Sequence, residues 1–184
     1  RGYDSSGIGV LPADHSKIAI AKTHGKIKVL KDLLAANPLP QANLGISHSR
    51  WATHGAPTKS NAHPHFDGSQ KILVVHNGII ENYEELKARL QQKGHKFLSQ
   101  TDTEVVPHLI EEYYRGDFLA AVQKALKELK GSFALGILCS DYPDTLIAAR
   151  LGSPLIVGVG KNENFIASDV PAILSHTRDV VFLG

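Results

Sequence analysis

The chain has 184 residues, of which 42% are hydrophobic and 21% are charged, and its formal net charge is +2 at pH 7. This length fits one domain that can bury a core without disulfides, and the single cysteine, Cys139, excludes an internal disulfide. The small, dispersed charge disfavours nucleic acid binding, and no apolar run reaches the roughly 20 residues that span a bilayer. With no signal-peptide pattern, we expect one cytoplasmic domain over residues 1–184 that binds neither nucleic acid nor a membrane.

The two ends of the sequence indicate a fragment. The chain contains no methionine, and it begins at Arg1 inside what reads as a complete motif, "RGYDSSGIGV". It stops at "DVVFLG", in or just after a strand pattern. We therefore expect a piece cut from a longer protein at both ends, and a processed native terminus is the alternative.

The first part of the chain carries strand and helix patterns in turn. "GIGVL" and "KIAIAK" predict two short strands joined by the turn "PADHS". "GKIKVLKDLLAAN" has helical periodicity and ends at Asn37-Pro38. "ANLGISHS" predicts a strand, a long loop follows from Arg50 to Gln70, and "KILVVH" predicts an apolar strand.

Helices and then strands follow in runs. Asn82 is expected to cap a helix with Glu85 as its capping-box partner, "TDTE" (101–104) repeats that box, and a third helix begins at Asp117. From Gly131 the strand patterns are "GSFALGILCS", "DTLIAARL", "PLIVGVG" and "NFIASD", then a short helix and "VVFL". Such runs indicate an α+β fold, in which two stacked sheets with helices outside would bury both faces of the strands.

Residue types that carry chemistry concentrate at strand ends and helix starts, where functional loops are found. The stretches are "HSRWATHG" (48–55), "NAHPH" (61–65), "HNGIIEN" (76–82) and "TDTE" (101–104). The guanidinium of Arg50 can hold a carboxylate bidentately, and the carboxylate of Asp102 can pair with an ammonium group. One fixed cation and one fixed anion on the same pocket wall would recognise a free amino acid.

Asn77-Gly78 comes directly after an apolar strand pattern. A side-chain amide and a glycine N–H that no Cβ obstructs can form an oxyanion hole, which suggests acyl chemistry on an amino-acid side chain. The same pair is equally a turn signal. Likewise, Arg50 alone could be a surface arginine and Asp102 alone a helix cap.

The histidines and the cysteine suggest other chemistries, which we weigh as alternatives. Five histidines are candidate metal ligands: His48, His54, His63, His65 and His76. A barrel hydrolase needs roughly 250 residues, and no ligand follows the later strands at regular intervals, so a metal site is disfavoured. Cys139 lies in an apolar strand without nearby positive charge, which is typical of a small buried hydrophobe, and Ser5 and Ser6 have no base beside them in sequence.

Several stretches together resemble the glutaminase domain of the glucosamine-6-phosphate synthases, which are glutamine–fructose-6-phosphate amidotransferases of class II. They are "RGYDSSGIGV", "HSRWATHGAPT-SNAHPH", "VVHNGIIENYEEL", "TDTEVV-HLI" and "GSPLIVGVG-NENFIASD". The likeness covers nearly the whole chain in order, and "RWATHG" and "NGIIEN" separate it from phosphoribosyl amidotransferases and asparagine synthetases. It implies the four-layer αββα sandwich of the N-terminal-nucleophile hydrolases.

The resemblance also implies roles for the loop after the third strand pattern. Arg50 matches the arginine that grips the α-carboxylate of glutamine, and Thr53 and His54 support that end of the substrate. Trp51 belongs to the loop that closes over bound glutamine and helps to route ammonia.

The resemblance places the remaining groups on other segments. Asn77 and Gly78 match the oxyanion hole, and Asp102 matches the acid that pairs with the substrate ammonium. The family's nucleophile is an N-terminal cysteine whose own α-amine acts as base, and it would lie roughly twenty residues before Arg1, together with one inner strand and a helix. We therefore expect this chain to lack its nucleophile, its first strand and its first helix, and to be inactive alone.

The leading hypothesis is a domain that, when complete, hydrolyses L-glutamine to glutamate and ammonia through a γ-glutamyl thioester. In the family, ammonia passes to a C-terminal sugar-phosphate isomerase domain, which binds fructose 6-phosphate, yields glucosamine 6-phosphate and supplies the contact of a homodimer. No cofactor and no metal are needed. One alternative is a non-catalytic amino-acid-binding module without the nucleophile, and another is a metal-dependent hydrolase that uses the histidines.

Overall fold

The computed structural model describes residues 4–14, 16–51 and 53–183. Residues 1–3 of the opening motif and His15 of the first predicted turn lie outside the described residues. The elements of the described part are β1 (Ser5–Pro12), β2 (Ala19–His24), α1 (Ile27–Ala36), β3 (Ala42–Arg50), β4 (His65–Phe66), β5 (Ile72–Ile80), α2 (Tyr83–Gln92), α3 (Val105–Tyr113), α4 (Phe118–Leu126), β6 (Gly131–Cys139), β7 (Leu146–Leu151), β8 (Ile156–Val159), β9 (Asn164–Ala167), a 3₁₀ turn (Val170–Ala172) and β10 (Val180–Phe182).

Antiparallel pairing arranges these strands in three sheets. Their orders are β2–β1–β3, β4–β5–β6–β7 and β10–β8–β9. In the second sheet, β5 pairs with β6 along its whole length, from Ile72 opposite Cys139 to Ile80 opposite Gly131. None of the helices in the described ranges is long and apolar enough to cross a membrane.

The second sheet has a core on each face because successive side chains of a strand point to opposite sides. Between the first and second sheets lies an apolar cluster of Leu11, Ile18, Ile46, Leu73 and Leu138. On the other face, alternate residues of β5 and β6 pack against α2, α3 and α4. This larger cluster includes Ile72, Val74, Leu109, Phe118, Leu135 and Ile137.

The two faces of β1 show on which side of the sheets α1 lies. Gly9 faces the second sheet so closely that an added Cβ would lie 2.2 Å from Cδ2 of Leu73. The neighbouring Ile8 points to the opposite face and lines the same cavity as Leu30 of α1. The layers therefore run helix, sheet, sheet, helices, and the predicted α+β sandwich is confirmed.

Two predicted capping boxes do not form, because the polar side chains bind backbone groups outside their helices instead. Asn82 makes no cap hydrogen bond with α2; its Oδ1 accepts from the Lys130 N–H at 2.9 Å, and its Nδ2 donates to the Glu128 carbonyl at 2.9 Å. Glu104 precedes α3, but its carboxylate accepts from the N–H groups of residues 98 and 99. The Asp117 cap does form, since Oδ1 accepts from the Ala120 N–H at 2.9 Å.

Asn77-Gly78 lies inside β5, so the expectations that it follows the strand or forms a turn are both wrong. Asn77 is opposite Ala134 and Gly78 is opposite Phe133, and β5 continues to Ile80. The pair is thus held by the strand ladder on a rigid element.

Candidate active site

A cavity of about 990 Å³ opens between the ends of the first two sheets, α1 and the turn before α3. Six of the seven predicted site residues lie on its wall, namely Arg50, Trp51, Thr53, Asn77, Gly78 and Asp102. The seventh, His54, has its Nδ1 4.0 Å from Oδ1 of Asp102. One cavity therefore brings together residues that are separated by up to about fifty positions in the sequence.

Arg50 is the last residue of β3, and its guanidinium is buried. Its Nη2 donates to the carbonyls of His54 and Gly55, and its Nη1 donates to that of Ala56 at 3.5 Å. Burial lowers the pKa of the guanidinium, and the negative charges of Asp4 and Asp102 oppose this shift. The arginine thus holds the 54–56 loop in place while it remains on the cavity wall.

Asp102 is a buried carboxylate anchored by backbone. Its Oδ2 accepts the N–H of Ile80 at 2.8 Å, which joins the end of β5 to the turn before α3. Its Oδ1 lies 3.5 Å from the Thr103 hydroxyl and 4.0 Å from Nδ1 of His54. A buried anion on the wall of a cavity favours a cationic partner, because such a charge is costly to leave unpaired.

Asn77 is exposed to the cavity, whereas Gly78 is constrained by the neighbouring strand. Asn77 is exposed on β5, so its amide is available to the cavity. Gly78 has φ +133°, and an added Cβ would lie 2.0 Å from the carbonyl oxygen of Ser132 on β6. Glycine is thus required here by the close approach of the neighbouring strand, whatever chemistry its N–H performs.

A cluster of histidines lies beside this wall. The ring of His63 stacks on His48 with centroids 4.5 Å apart, meets His65 edge-on at 5.0 Å, and lies parallel to His76 at 6.4 Å. Burial lowers the pKa of all four imidazoles, that of His48 to about 4. The four rings are therefore neutral near pH 7.

Threonine hydroxyls hold three of these rings. Oγ1 of Thr103 is 2.9 Å from Nδ1 of His76 and 3.1 Å from Nε2 of His63, and Oγ1 of Thr101 is 3.2 Å from Nε2 of His65. Sequence reasoning did not identify these threonines as site residues. The available signal was the sequence "TDTE" itself, in which four polar residues directly precede an apolar helix. In the structure all four of these polar residues are buried.

The cluster also contains polar atoms without partners. Within the described residues, Nδ1 of His48, Nδ1 of His63 and Nε2 of His76 are buried and make no hydrogen bond. Each such atom costs about 1–3 kcal/mol. In the same ranges, the nitrogens of the five histidines singled out from sequence do not converge as a set of three ligands.

Trp51 is largely exposed, whereas Cys139 is buried. Trp51 lies at the rim of the cavity and is 70% exposed, and its neighbour Ala52 lies outside the described residues. Cys139 is fully buried in the core between the second sheet and the helices, where burial raises the pKa of its thiol. Cys139 is therefore a core residue and not a nucleophile for the cavity.

Comparison with known proteins identifies the family. A family model described as "Glutamine amidotransferase domain" matches residues 48–175. The chain belongs to this family. The inferred resemblance is thereby confirmed at the level of the glutamine amidotransferase domain.

Three similar curated proteins are glutamine–fructose-6-phosphate aminotransferases (isomerizing). Those of Clostridium perfringens and Thermus thermophilus are each 52% identical over 183 residues, and that of Thermotoga maritima is 51% identical over 183 residues. Each alignment covers 100% of this chain and 30% of the relative, so the chain spans about 30% of the length of these relatives.

Solved amidotransferase structures share the fold of this domain. The glutamine phosphoribosylpyrophosphate amidotransferase from B. subtilis matches with a TM-score of 0.78 and 25% identity, over 99% of this chain and 39% of that one. A structure described as the allosteric regulatory enzyme of purine biosynthesis matches with a TM-score of 0.80 and the same identity and coverage. These matches confirm the predicted N-terminal-nucleophile type of sandwich.

The lowered pKa of His48 leads to a prediction about acid stability. The imidazole should titrate near pH 4 in the folded protein, against about 6.5 in the unfolded chain. A depressed histidine pKa stabilises the fold above pH 6.5, and this stabilisation is lost as the pH falls towards 4. NMR titration of the ring and urea unfolding between pH 7 and 4 should show both effects, with a weaker pH dependence of unfolding in His48→Gln. A ring that titrates near 6.5 would contradict this assignment.

Proposed function

We propose that this chain is the glutaminase part of a glutamine–fructose-6-phosphate aminotransferase and that its cavity binds L-glutamine. One observation carries this function: a guanidinium, a buried carboxylate and an amide–glycine pair line a single cavity, although they come from β3, the turn before α3 and β5. The 52% identity to the enzyme of Clostridium perfringens supports the same conclusion.

The charges of the cavity suit a zwitterion. Arg50 would bind the α-carboxylate, with Thr53 and His54 supporting that end, and Asp102 would pair with the α-ammonium. Since Arg50 already donates to the carbonyls of the 54–56 loop, the bound carboxylate and the loop share one guanidinium. Substrate binding and loop position are therefore coupled, and Trp51, which lies exposed three residues before this loop, is the side chain that would cover the ligand.

The reaction requires a nucleophile and a place for negative charge. A cysteine thiolate, supplied by a residue that is not among these 184, would attack the side-chain amide carbon of glutamine. The carbonyl oxygen would become an oxyanion that accepts hydrogen bonds from Nδ2 of Asn77 and the N–H of Gly78. Collapse releases ammonia after proton transfer to the leaving nitrogen, and water then hydrolyses the γ-glutamyl thioester to glutamate and free thiol.

The rest of the protein would consume the ammonia. The relatives named above are about three times as long as this chain, and their name includes both fructose 6-phosphate and an isomerising step. We propose that a sugar-phosphate isomerase domain follows this one, that it binds fructose 6-phosphate and produces glucosamine 6-phosphate, and that it forms the contact of a homodimer.

A diazoketone analogue of glutamine tests this function directly, because it alkylates only an activated thiolate in the glutamine site. A form of the protein with an N-terminal cysteine should be labelled once, at that residue, and the 184-residue chain should not be labelled. Glutamine binding without labelling in the longer form would instead support the non-catalytic amino-acid-binding module. Labelling of Cys139 would contradict both functions, and Cys139→Ala provides the control.

Asp102→Asn should mainly weaken glutamine binding. The amide oxygen can still accept the Ile80 N–H, so the fold is retained, but the substrate ammonium loses its counter-charge. We expect KM to rise by an amount equivalent to about 2–5 kcal/mol if the ammonium is left buried and unpaired. Asp141→Asn, which removes an exposed carboxylate paired with Lys71 at 2.9 Å, is the matched control and should leave KM unchanged. An unchanged KM in Asp102→Asn would remove this residue from the site.

Asn77→Ala should act on turnover instead. Loss of one oxyanion donor typically lowers kcat by about 10²–10³ with little effect on substrate binding. Steady-state glutaminase assays of the form with the N-terminal cysteine would measure this. Asn43→Ala, an exposed asparagine on β3, is the control. If kcat in Asn77→Ala equals that of the control, Asn77 does not stabilise the oxyanion.

A further inference from the structure

A second group of potential ligands lies outside the cavity, where the segment after α2 meets α3. His95 follows α2, and His108 and Glu111 lie one turn apart on α3. Their side-chain atoms form a closed triangle: Nδ1 of His95 is 3.2 Å from Nδ1 of His108 and 3.2 Å from Oε2 of Glu111, which is 3.4 Å from Nδ1 of His108. In the described ranges this is the one set of three such residues whose ligand atoms converge.

The size of this triangle matches a tetrahedral metal ion. Ligand atoms about 2.0–2.1 Å from a zinc ion, separated by the tetrahedral angle, are about 3.3–3.4 Å apart. Hydrogen bonds among the three atoms would stabilise this arrangement less well than a metal ion. Each N–H can point along only one edge of the triangle, so two imidazole N–H groups leave one edge as a close contact between polar atoms.

The groups behind the triangle are those expected of a metal site, in which a ligating histidine turns its second nitrogen to a carboxylate. Nε2 of His95 is 3.3 Å from Oε2 of Glu112, and Nε2 of His108 faces Oε1 of Glu104 at 4.0 Å. The Glu111 carboxylate is itself oriented by two backbone N–H groups, those of residues 68 and 69, at 3.0 and 2.9 Å. Both imidazoles thus present Nδ1 to the same point.

We propose that His95, His108 and Glu111 bind one zinc-class divalent cation, with water as the fourth ligand. Two imidazole nitrogens and one carboxylate oxygen suit zinc and cobalt, whereas magnesium and calcium prefer oxygen ligands throughout. His108 is fully enclosed, but the side chain of Glu111 is 25% exposed, so that an ion can enter from solvent. The bound ion would connect α3 with the segment after α2 and, through Glu111, with the 67–70 turn.

Titration of the metal-free 184-residue chain with Zn²⁺ and, separately, with Co²⁺ tests this site. We expect one ion per chain by calorimetry and, with Co²⁺, the intense visible absorption of a tetrahedral complex with nitrogen and oxygen ligands. Stoichiometric binding should be lost in His95→Gln and Glu111→Gln, and retained in His24→Gln, an exposed histidine at the end of β2. Circular dichroism verifies that each variant is folded.

Glu112→Gln keeps the test valid if a ligand variant fails to fold. It leaves all three ligands in place and removes only the carboxylate behind His95, so the ion should bind about 10–100-fold more weakly at the same stoichiometry. Failure of the wild-type chain to bind either ion, or equal binding in wild type and His95→Gln, would overturn the proposal. Neither result depends on glutamine or on a nucleophile, so the metal site can fail while the proposed function stands.

Discussion

The hydrogen bond from the Ile80 N–H to Oδ2 of Asp102 fixes the geometry of the candidate active site. It is 2.8 Å long and buried, and a bond to a charged acceptor of this kind contributes about 1.5–3 kcal/mol. Because Gly78 is two residues before Ile80 on the same strand, the glycine N–H and the carboxylate are separated by about 6–7 Å along β5. In extended glutamine, four bonds of about 1.5 Å join the amine nitrogen to the amide carbon, which places these atoms roughly 5 Å apart, shorter than this separation but of the same order. The strand thus fixes the spacing between the glycine N–H and the carboxylate along β5.

Three carboxylates in α3 or just before it accept hydrogen bonds from backbone N–H groups in other parts of the chain. Asp102 accepts from the end of β5, Glu104 accepts from the backbone of residues 98 and 99, and Glu111 accepts from that of residues 68 and 69. Each carboxylate therefore holds a different part of the chain. A helix fixed in this way can carry Asp102, the proposed glutamine-binding acid, before its first turn and two ligands of the candidate metal site further along, so the two sites share one rigid support.

The elements could be predicted from sequence because their signals are local, whereas the functions of several polar residues depend on contacts far along the chain. Periodicity was sufficient to predict α1, β6 and the first part of β5, up to His76. It could not show that Asn82 binds Lys130, since this partner, 48 residues later in the sequence, is brought there by tertiary packing. Gly78 reads as a turn residue for the same reason: its requirement for glycine comes from the carbonyl of Ser132, more than fifty residues later. His95 meets α3 only because of how the chain leaves α2.

The neutral histidines beside the cavity preserve the charge on which substrate recognition would depend. Nδ1 of His76 is 3.9 Å from Oδ2 of Asp102, so a protonated His76 would be a cation competing with the ammonium of the substrate for the same carboxylate. Burial lowers the pKa of His76, burial and the nearby His76 lower that of His48, and burial and the nearby His48 lower that of His63. With these imidazoles uncharged near pH 7, Asp102 remains available to a cation that enters the cavity. Burying several histidines near Asp102 lowers the stability of the fold at acidic pH. It also leaves the negative charge of this carboxylate directed at the space that a ligand would occupy.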